Sequence, residues 1–352
     1  MPALDRFYSC LIEVDYSKDA TFSQTQIVYF CGMPQIPSDY RSPRYLFNGH
    51  IQTIIPNSFR KVPALAYERE RIDTPDGDFL DLDWLRDKGE RLVIISHGLE
   101  GNSDRVYVRG AAWHFQQHGW DVIAWNCRSC SGEMNNKPRF YHHGDTPDLA
   151  TVINHGIAKG YKEVLLLGYS MGGSMLLKYL GEQGEEAPAE IIGGIAFSVP
   201  CNLGSSAREI EKPGKKFYGE RFLKRLREKI KKKAAQFPEV LSAEGVDQIR
   251  EFKTFDNRYT APLHGFADAE DFYTQASCGP WLTSIRRPTL LVNALNDPFL
   301  PEPCYPWAEA EENPHLYFEA PHTGGHVGFT MPGNKTSWMD TRALAFAERL
   351  RK

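Results

Sequence analysis

The stretch Glu163–Gly181, EVLLLGYSMGGSMLLKYLG, decides how the whole chain is read. It opens with a short, nearly continuous apolar run ending in glycine, the pattern of a strand buried on both faces of a sheet. It closes with GGSMLLKYLG, small residues followed by apolar ones, as in a helix packed close to that sheet. Between them lies Gly168-Tyr169-Ser170-Met171-Gly172. A serine on a sharp strand-to-helix turn is pushed outward at a helix N-terminus. Glycines two positions either side let neighbouring backbone pass where a Cβ would clash. The five residues alone describe a tight turn with an incidental hydroxyl just as well. The strand before and the helix after favour Ser170 as a nucleophile.

The same alternation extends outward in both directions. RLVIISHG, DVIAWN, IIGGIAFSVP, PTLLVNAL and LYFEAP read as further strands. Helices are predicted from Ser103-Asp104 to Gly119 with a cap at each end, over DLATVINHGIAKG, and near Ser337 to Leu350. Upstream, YERERIDTPDGDFLDLDWL predicts a β-hairpin turning at Asp76-Gly77 and adding antiparallel strands at one edge. Apolar strands separated by amphipathic helices predict an α/β fold: a mostly parallel central sheet with helices on both faces.

Four segments follow. Residues 1–65, with Pro43 and Pro56 and no clear period, read as an extended arm packed on the body. Residues 66–203 form the first part of the core and 283–352 the second. The interval 204–282, far longer than an ordinary crossover, reads as a helical lid over the sheet's C-terminal edge.

A serine needs a base, and the base a third group to orient it. In this architecture the partners follow in the order serine, acid, histidine. NALNDPFLP places Asp297 just after a buried strand; the neighbouring Asn296 is an amide and would stabilise an imidazolium less well. PHTGGHVGF offers His326 as the base, with His322 as its fallback. Their spacing suggests a metal pair only on a helix, which Gly324-Gly325 disfavours, so no metal and no organic cofactor is expected. The developing oxyanion would meet the backbone N–H of Met171 and that of Leu99 in SHGLEG, with Glu100 the second choice.

These motifs resemble those of the α/β-hydrolase fold family, in its YheT-like branch of esterase-like serine hydrolases. The resemblance is carried by NGHIQTIIP, SHGLEGNSDRVY, NCRSCSGEMNNKPRFYHHGDTPDL, GYSMGG, NALNDPF and GGHVGF, which span most of residues 45 to 330. Gly49 and Ile51 depart from the usual Asn-Pro-His-Leu-Gln-Thr, and Ser129 stands where the family has glycine. The resemblance implies the same triad, Ser170, Asp297 and His326, and esterase-like activity without a fixed substrate.

The totals bound the rest. The 352 residues are 41% hydrophobic and 24% charged, ordinary values for a globular protein, and the net charge of -4 gives no reason to expect nucleic acid. No run reaches the ~20 apolar residues of a membrane span, and early acidic residues interrupt any signal-peptide core, so the expected setting is cytoplasmic. Seven cysteines fit reduced thiols. Cys127 and Cys130 have redox spacing but follow a strand and enter a loop, against a redox or zinc role. In YHHGDTPD, Asp145, Thr146 and Asp148 are expected to cap a helix, and His142 and His143 to be structural.

The lid carries Arg221, Lys224, Arg225, Arg227, Lys229, Lys231, Lys232 and Lys233. Such a run is ordinarily a solvated face; the sharper reading is peripheral contact with an anionic membrane or an acidic substrate. Phe217, Phe222, Leu223, Leu226 and Ile230 are expected to cover the pocket. The function predicted is hydrolysis of small-molecule or lipid-like carboxylic esters through an acyl-enzyme. An acyltransferase with the same triad and a lid-covered binding protein are the rivals.

Overall fold

The computed structural model describes residues 35–86, 89–331, 333 and 336–350. The chain divides into Met1–Gly32 and Met33–Lys352, and every described residue belongs to the second unit. The expected arm therefore lies partly, over residues 1–34, outside the described residues.

Among the described residues the strands are β1 (Gln35–Ile36), β2 (Glu68–Asp73), β3 (Phe79–Leu85), β4 (Arg91–Ser96), β5 (Asp121–Asn126), β6 (Glu163–Tyr169), β7 (Ile191–Phe197), β8 (Thr289–Val292) and β9 (Leu316–Glu319). They form one sheet in the order β1-β9-β8-β7-β6-β4-β5-β3-β2. From β1 to β5 all neighbours are parallel; β3 runs antiparallel to β5 and β2 antiparallel to β3. The hairpin predicted around Asp76-Gly77 is thus one edge, with Gly77 at φ 76°.

The strand sequences serve two cores at once. Leu92, Ile94, Val164 and Leu166 enter one cluster; Val93, Ile95, Leu165 and Leu167 enter the other. A period of two with apolar residues on both sides is what a sheet covered on both faces requires. The helices are α1 (Gly49–Phe59), α2 (Val106–Gln116), α3 (Thr146–Ala158), α4 (Met171–Gln183), α5 (Leu203–Ile210), α6 (Lys216–Gln236), α7 (Phe252–Phe255), α8 (Ala261–His264), α9 (Ala269–Ala276), α10 (Trp307–Glu312) and α11 (Trp338–Arg349). α2 packs with α11, and α3 with α4. The long interval between β7 and β8 is helical, holding α5 to α9.

Several local expectations need correction. Residues 49–59, read as extended, are helix α1 despite Pro56 inside it. Asn48 caps it, accepting from the Ile51 N–H at 2.9 Å. The helix hid its periodicity because it faces the body with polar Gln52 and Thr53, while Ile54, Ile55 and Phe59 stay exposed. α2 begins at Val106, and neither Ser103 nor Asp104 caps it; the Ser103 hydroxyl bonds the Asp83 carboxylate instead. Asp145 precedes α3 but makes no side-chain cap. Its carboxylate takes Arg139, and that of Asp148 takes the buried Arg128, which also pairs with Asp76 and Asp78. Ion pairing here outcompetes capping. α11, by contrast, has the capping box of Ser337 with Asp340.

Candidate active site

β4 leads away toward β5 on one side, and β6 toward β7 on the other. Between β4 and β6 the connections diverge, which opens a crevice at their C-terminal ends. Ser170 lies there, between β6 and α4, at φ 52° and ψ −117°. A serine in that region of backbone space is strained and must be held by its surroundings. Its N–H donates to the Phe197 carbonyl at 2.9 Å, and its carbonyl accepts from Ser174 at 2.9 Å. The flanking glycines are sterically required. A Cβ on Gly168 would stand 2.5 Å from the Gly172 carbonyl oxygen, and one on Gly172 would stand 2.3 Å from that of Ser96.

The sequence brings Asp297 and His326 to this turn from the ends of β8 and β9. His326 Nδ1 lies 2.8 Å from Asp297 Oδ2, and Nε2 lies 2.9 Å from Ser170 Oγ. With Nδ1–H donating to the carboxylate, Nε2 is left to accept from the serine hydroxyl. Asp297 and His326 are both buried, and Phe299 stacks on the imidazole with ring centroids 4.0 Å apart. The Phe299 N–H donates to Asp297 Oδ1 at 2.8 Å, which fixes the carboxylate's second oxygen. His322, the fallback base, is exposed; Asn296 spends its amide on Gln52 and Gly325.

The histidine loop is held by a device the sequence reading missed. Four consecutive backbone N–H groups each meet a side-chain oxygen: Gly324 to Gln52 at 2.8 Å, Gly325 to Asn296 at 3.1 Å, His326 to Thr53 at 2.9 Å and Val327 to Ser198 at 2.9 Å. Gln52 and Thr53 come from α1, within the NGHIQT motif. Two adjacent polar residues framed by isoleucines were the available signal.

The loop after β4 is arranged differently. His97 is fully buried and burial pushes it down to about 4, so it is neutral. Its Nδ1–H donates to the Gly98 carbonyl at 2.8 Å, and Nε2 accepts from the Cys127 N–H at 3.1 Å. The Gly98 N–H goes to Tyr107 at 3.1 Å and that of Glu100 to Tyr141 at 2.8 Å, which removes Glu100 as an oxyanion donor. Among the described residues the N–H groups of Leu99 and Met171 meet no acceptor; for Met171 this follows from its place at the first position of α4.

Glu100 ties this loop to α6. Its carboxylate accepts from Lys229 Nζ and from Tyr141, each at 2.6 Å, and its carbonyl accepts from Arg225 and Arg105 at 3.0 and 2.7 Å. Burial would raise the carboxyl, but Lys229 and the hydroxyl of Tyr141 bring it below its ordinary value. The basic run of α6 is therefore not one solvated face. Arg227, Lys229 and Lys233 are buried, and Lys233, which burial pushes down to about 8, donates to the carbonyls of Asn135 and Lys137. Arg221, Lys224, Lys231 and Lys232 are exposed. Burial likewise raises the thiols of Cys127 and Cys130, the latter to about 11; a protonated thiol is a poor redox nucleophile.

Two clefts meet at Ser170. One is mainly apolar, with Phe140, Leu203, Ile210, Phe222, Leu226 and Phe252 in its wall. His142 and His143, pushed down by burial, and Asp256, pushed up to about 6 by burial, also line it. The second passes between α1, the start of α2 and α6. Leu99, Phe222, Phe299 and His326 border both. Of the residues expected to cover the pocket, Phe222 and Leu226 do so; Leu223 and Ile230 are buried in the core and Phe217 is exposed.

Comparison with known proteins places this geometry in a family. A family model described as the alpha/beta hydrolase fold matches residues 91–330. The chain belongs to the α/β-hydrolase fold family. It is 33% identical over 290 residues to YheT of Escherichia coli (strain K12), covering 80% of this chain and 84% of that one. It is similar to phospholipase ABHD3 of Homo sapiens, at 29% over 84% of this chain and 75% of the relative. It also resembles monoacylglycerol lipase of Saccharomyces cerevisiae, at 28% over 72% and 58%. Among solved structures, the esterase Pf2001 of Pyrococcus furiosus superposes with a TM-score of 0.54 at 17% identity, covering 83% of this chain and 96% of its own. That likeness bears on the fold alone. No helix among the described residues is long and apolar enough to cross a membrane.

Proposed function

We propose that this α/β-hydrolase is a serine hydrolase of carboxylic esters that works through an acyl-enzyme on Ser170. One observation carries the reading: a strained, cleft-lining serine hydrogen-bonded to a buried histidine, itself hydrogen-bonded to a buried carboxylate. Ser170 Oγ attacks the ester carbonyl as His326 Nε2 takes its proton. Asp297 holds the imidazole and stabilises the imidazolium. The N–H groups of Leu99 and Met171 receive the oxyanion. His326 returns the proton to the departing alcohol, and water, activated by the same imidazole, then releases the acid.

Relatives named as a phospholipase and a monoacylglycerol lipase favour lipid-like esters, and the apolar cleft suits an acyl chain. In this reading α5 to α9 form a lid, since Phe222, Leu226 and Phe252 roof that cleft. The exposed cations of α6 would offer any contact with an anionic membrane surface. The five described cysteines, all free, support a cytoplasmic setting.

The test is steady-state hydrolysis of p-nitrophenyl esters graded by acyl length, with Ser170→Ala alongside. Wild type should turn over with a preference for some chain length, and the variant should lose about 10⁴-fold or more in kcat. Equal rates in the two proteins would remove Ser170 from the mechanism. Transfer to an added alcohol exceeding hydrolysis would make the protein an acyltransferase.

A further inference from the structure

The second cleft beside Ser170 differs from the first in charge. Its wall holds Arg105, which immediately precedes α2, and Arg221 and Arg225, one turn apart on α6. Among the described residues none of the three forms an ion pair. Arg105 and Arg225 each give an N–H to the Glu100 carbonyl, and Arg221 makes no hydrogen bond. Burial, then Arg105 and Arg221, disfavour the charged form of Arg225, and Glu100 and Glu228 act against this. The carboxylate of Glu100 is already matched by Lys229, and Asp104 is the carboxylate that shares the cleft wall. Three guanidiniums crowded at one mouth with little counter-charge repel one another until an anion joins them.

We propose that this wall is an anion subsite on the leaving-group side of Ser170, taking a phosphate carried by the alcohol portion of the ester. The acyl portion then occupies the apolar cleft. This rests on the ester-hydrolase reading above. A carboxylate brings one charge and two oxygens, whereas a phosphate brings nearly two charges and three acceptor oxygens to share among several guanidiniums. Arg105 and Arg225 spend one N–H each on Glu100 and keep others of the five each guanidinium carries. The same chemistry would bind a phosphorylated headgroup or free inorganic phosphate, and the two are separable.

The binding arm uses the Ser170→Ala protein, which cannot turn over. Titration calorimetry with glycerol 3-phosphate, inorganic phosphate and glycerol should show glycerol 3-phosphate binding best and glycerol not at all. Adding Arg221→Glu should weaken glycerol 3-phosphate at least tenfold, and Arg221→Lys should restore part of the loss. Arg221 is exposed and unbonded, so the reversal removes no contact the fold uses. Inorganic phosphate binding as tightly as glycerol 3-phosphate would overturn the leaving-group assignment. Failure of both to bind would overturn the subsite.

The kinetic arm compares octanoylglycerol 3-phosphate with mono-octanoylglycerol on the wild type. kcat/KM should favour the phosphorylated ester at least tenfold, and Arg221→Glu should collapse that ratio mainly through KM. Equal cleavage of both, with a ratio unmoved by the variant, would sink the subsite and leave the hydrolase reading standing. Cleavage of neither, with glycerol 3-phosphate still bound, would sink the hydrolase reading instead.

Discussion

The two loops that flank Ser170 are held by opposite means. The histidine loop hangs from neutral hydrogen bonds supplied by α1 and by the ends of β7 and β8: Gln52, Thr53, Ser198 and Asn296 take one N–H each. The loop carrying Leu99 is fastened through Glu100 to charged groups, two of them, Lys229 and Arg225, on the helical insertion. His326, the proposed base, is thus set by the body of the fold, while the proposed oxyanion donor is set partly by α6. Displacing α6 would disturb oxyanion stabilisation and leave the Ser170–His326–Asp297 chain of hydrogen bonds in place.

The largest effect is expected at Lys229. Lys229→Met leaves a buried carboxylate without its cation, which should cost about 3–5 kcal/mol. Urea unfolding should show the loss, and Glu100→Gln on the same background should recover part of it. A midpoint unchanged by Lys229→Met would mean that Glu100 does not depend on α6. The same pair sets a pH dependence. The carboxyl of Glu100 is lower in the folded protein than unfolded, so its contribution is present near neutrality and is lost as pH falls through the folded-state value. Wild type should therefore lose more stability on acidification below about pH 4.5 than Glu100→Gln does.

A smaller effect is expected from the other loop. Thr53→Val keeps shape and removes the acceptor of the His326 N–H, a cost of about 1–3 kcal/mol for the orphaned donor. kcat should fall roughly tenfold with KM nearly unchanged, the mark of a misplaced base. A change confined to KM would show that Thr53 serves the cleft it lines rather than the histidine.

The sheet, the strained serine turn and the convergence of Ser170, Asp297 and His326 were legible because each rests on short-range pattern: apolar strands, GYSMGG, and polar residues just beyond strand ends. What stayed hidden depended on contacts made at a distance. α1 read as an arm because its polar side faces inward and a proline interrupts it. Lys229 and Lys233 read as surface because nothing local announces that Glu100 and the carbonyls near Asn135 would accept them. Asp145 and Asp148 read as caps because only the fold of the loop brings Arg139, six residues upstream, and Arg128, twenty upstream, onto their carboxylates.

Intact-mass detection of fluorophosphonate labelling reads whether Ser170 is activated. An activated Ser170 should give a single adduct on the wild type and none on Ser170→Ala. A folded wild type that takes no adduct, or a variant that still takes one, would contradict that activation.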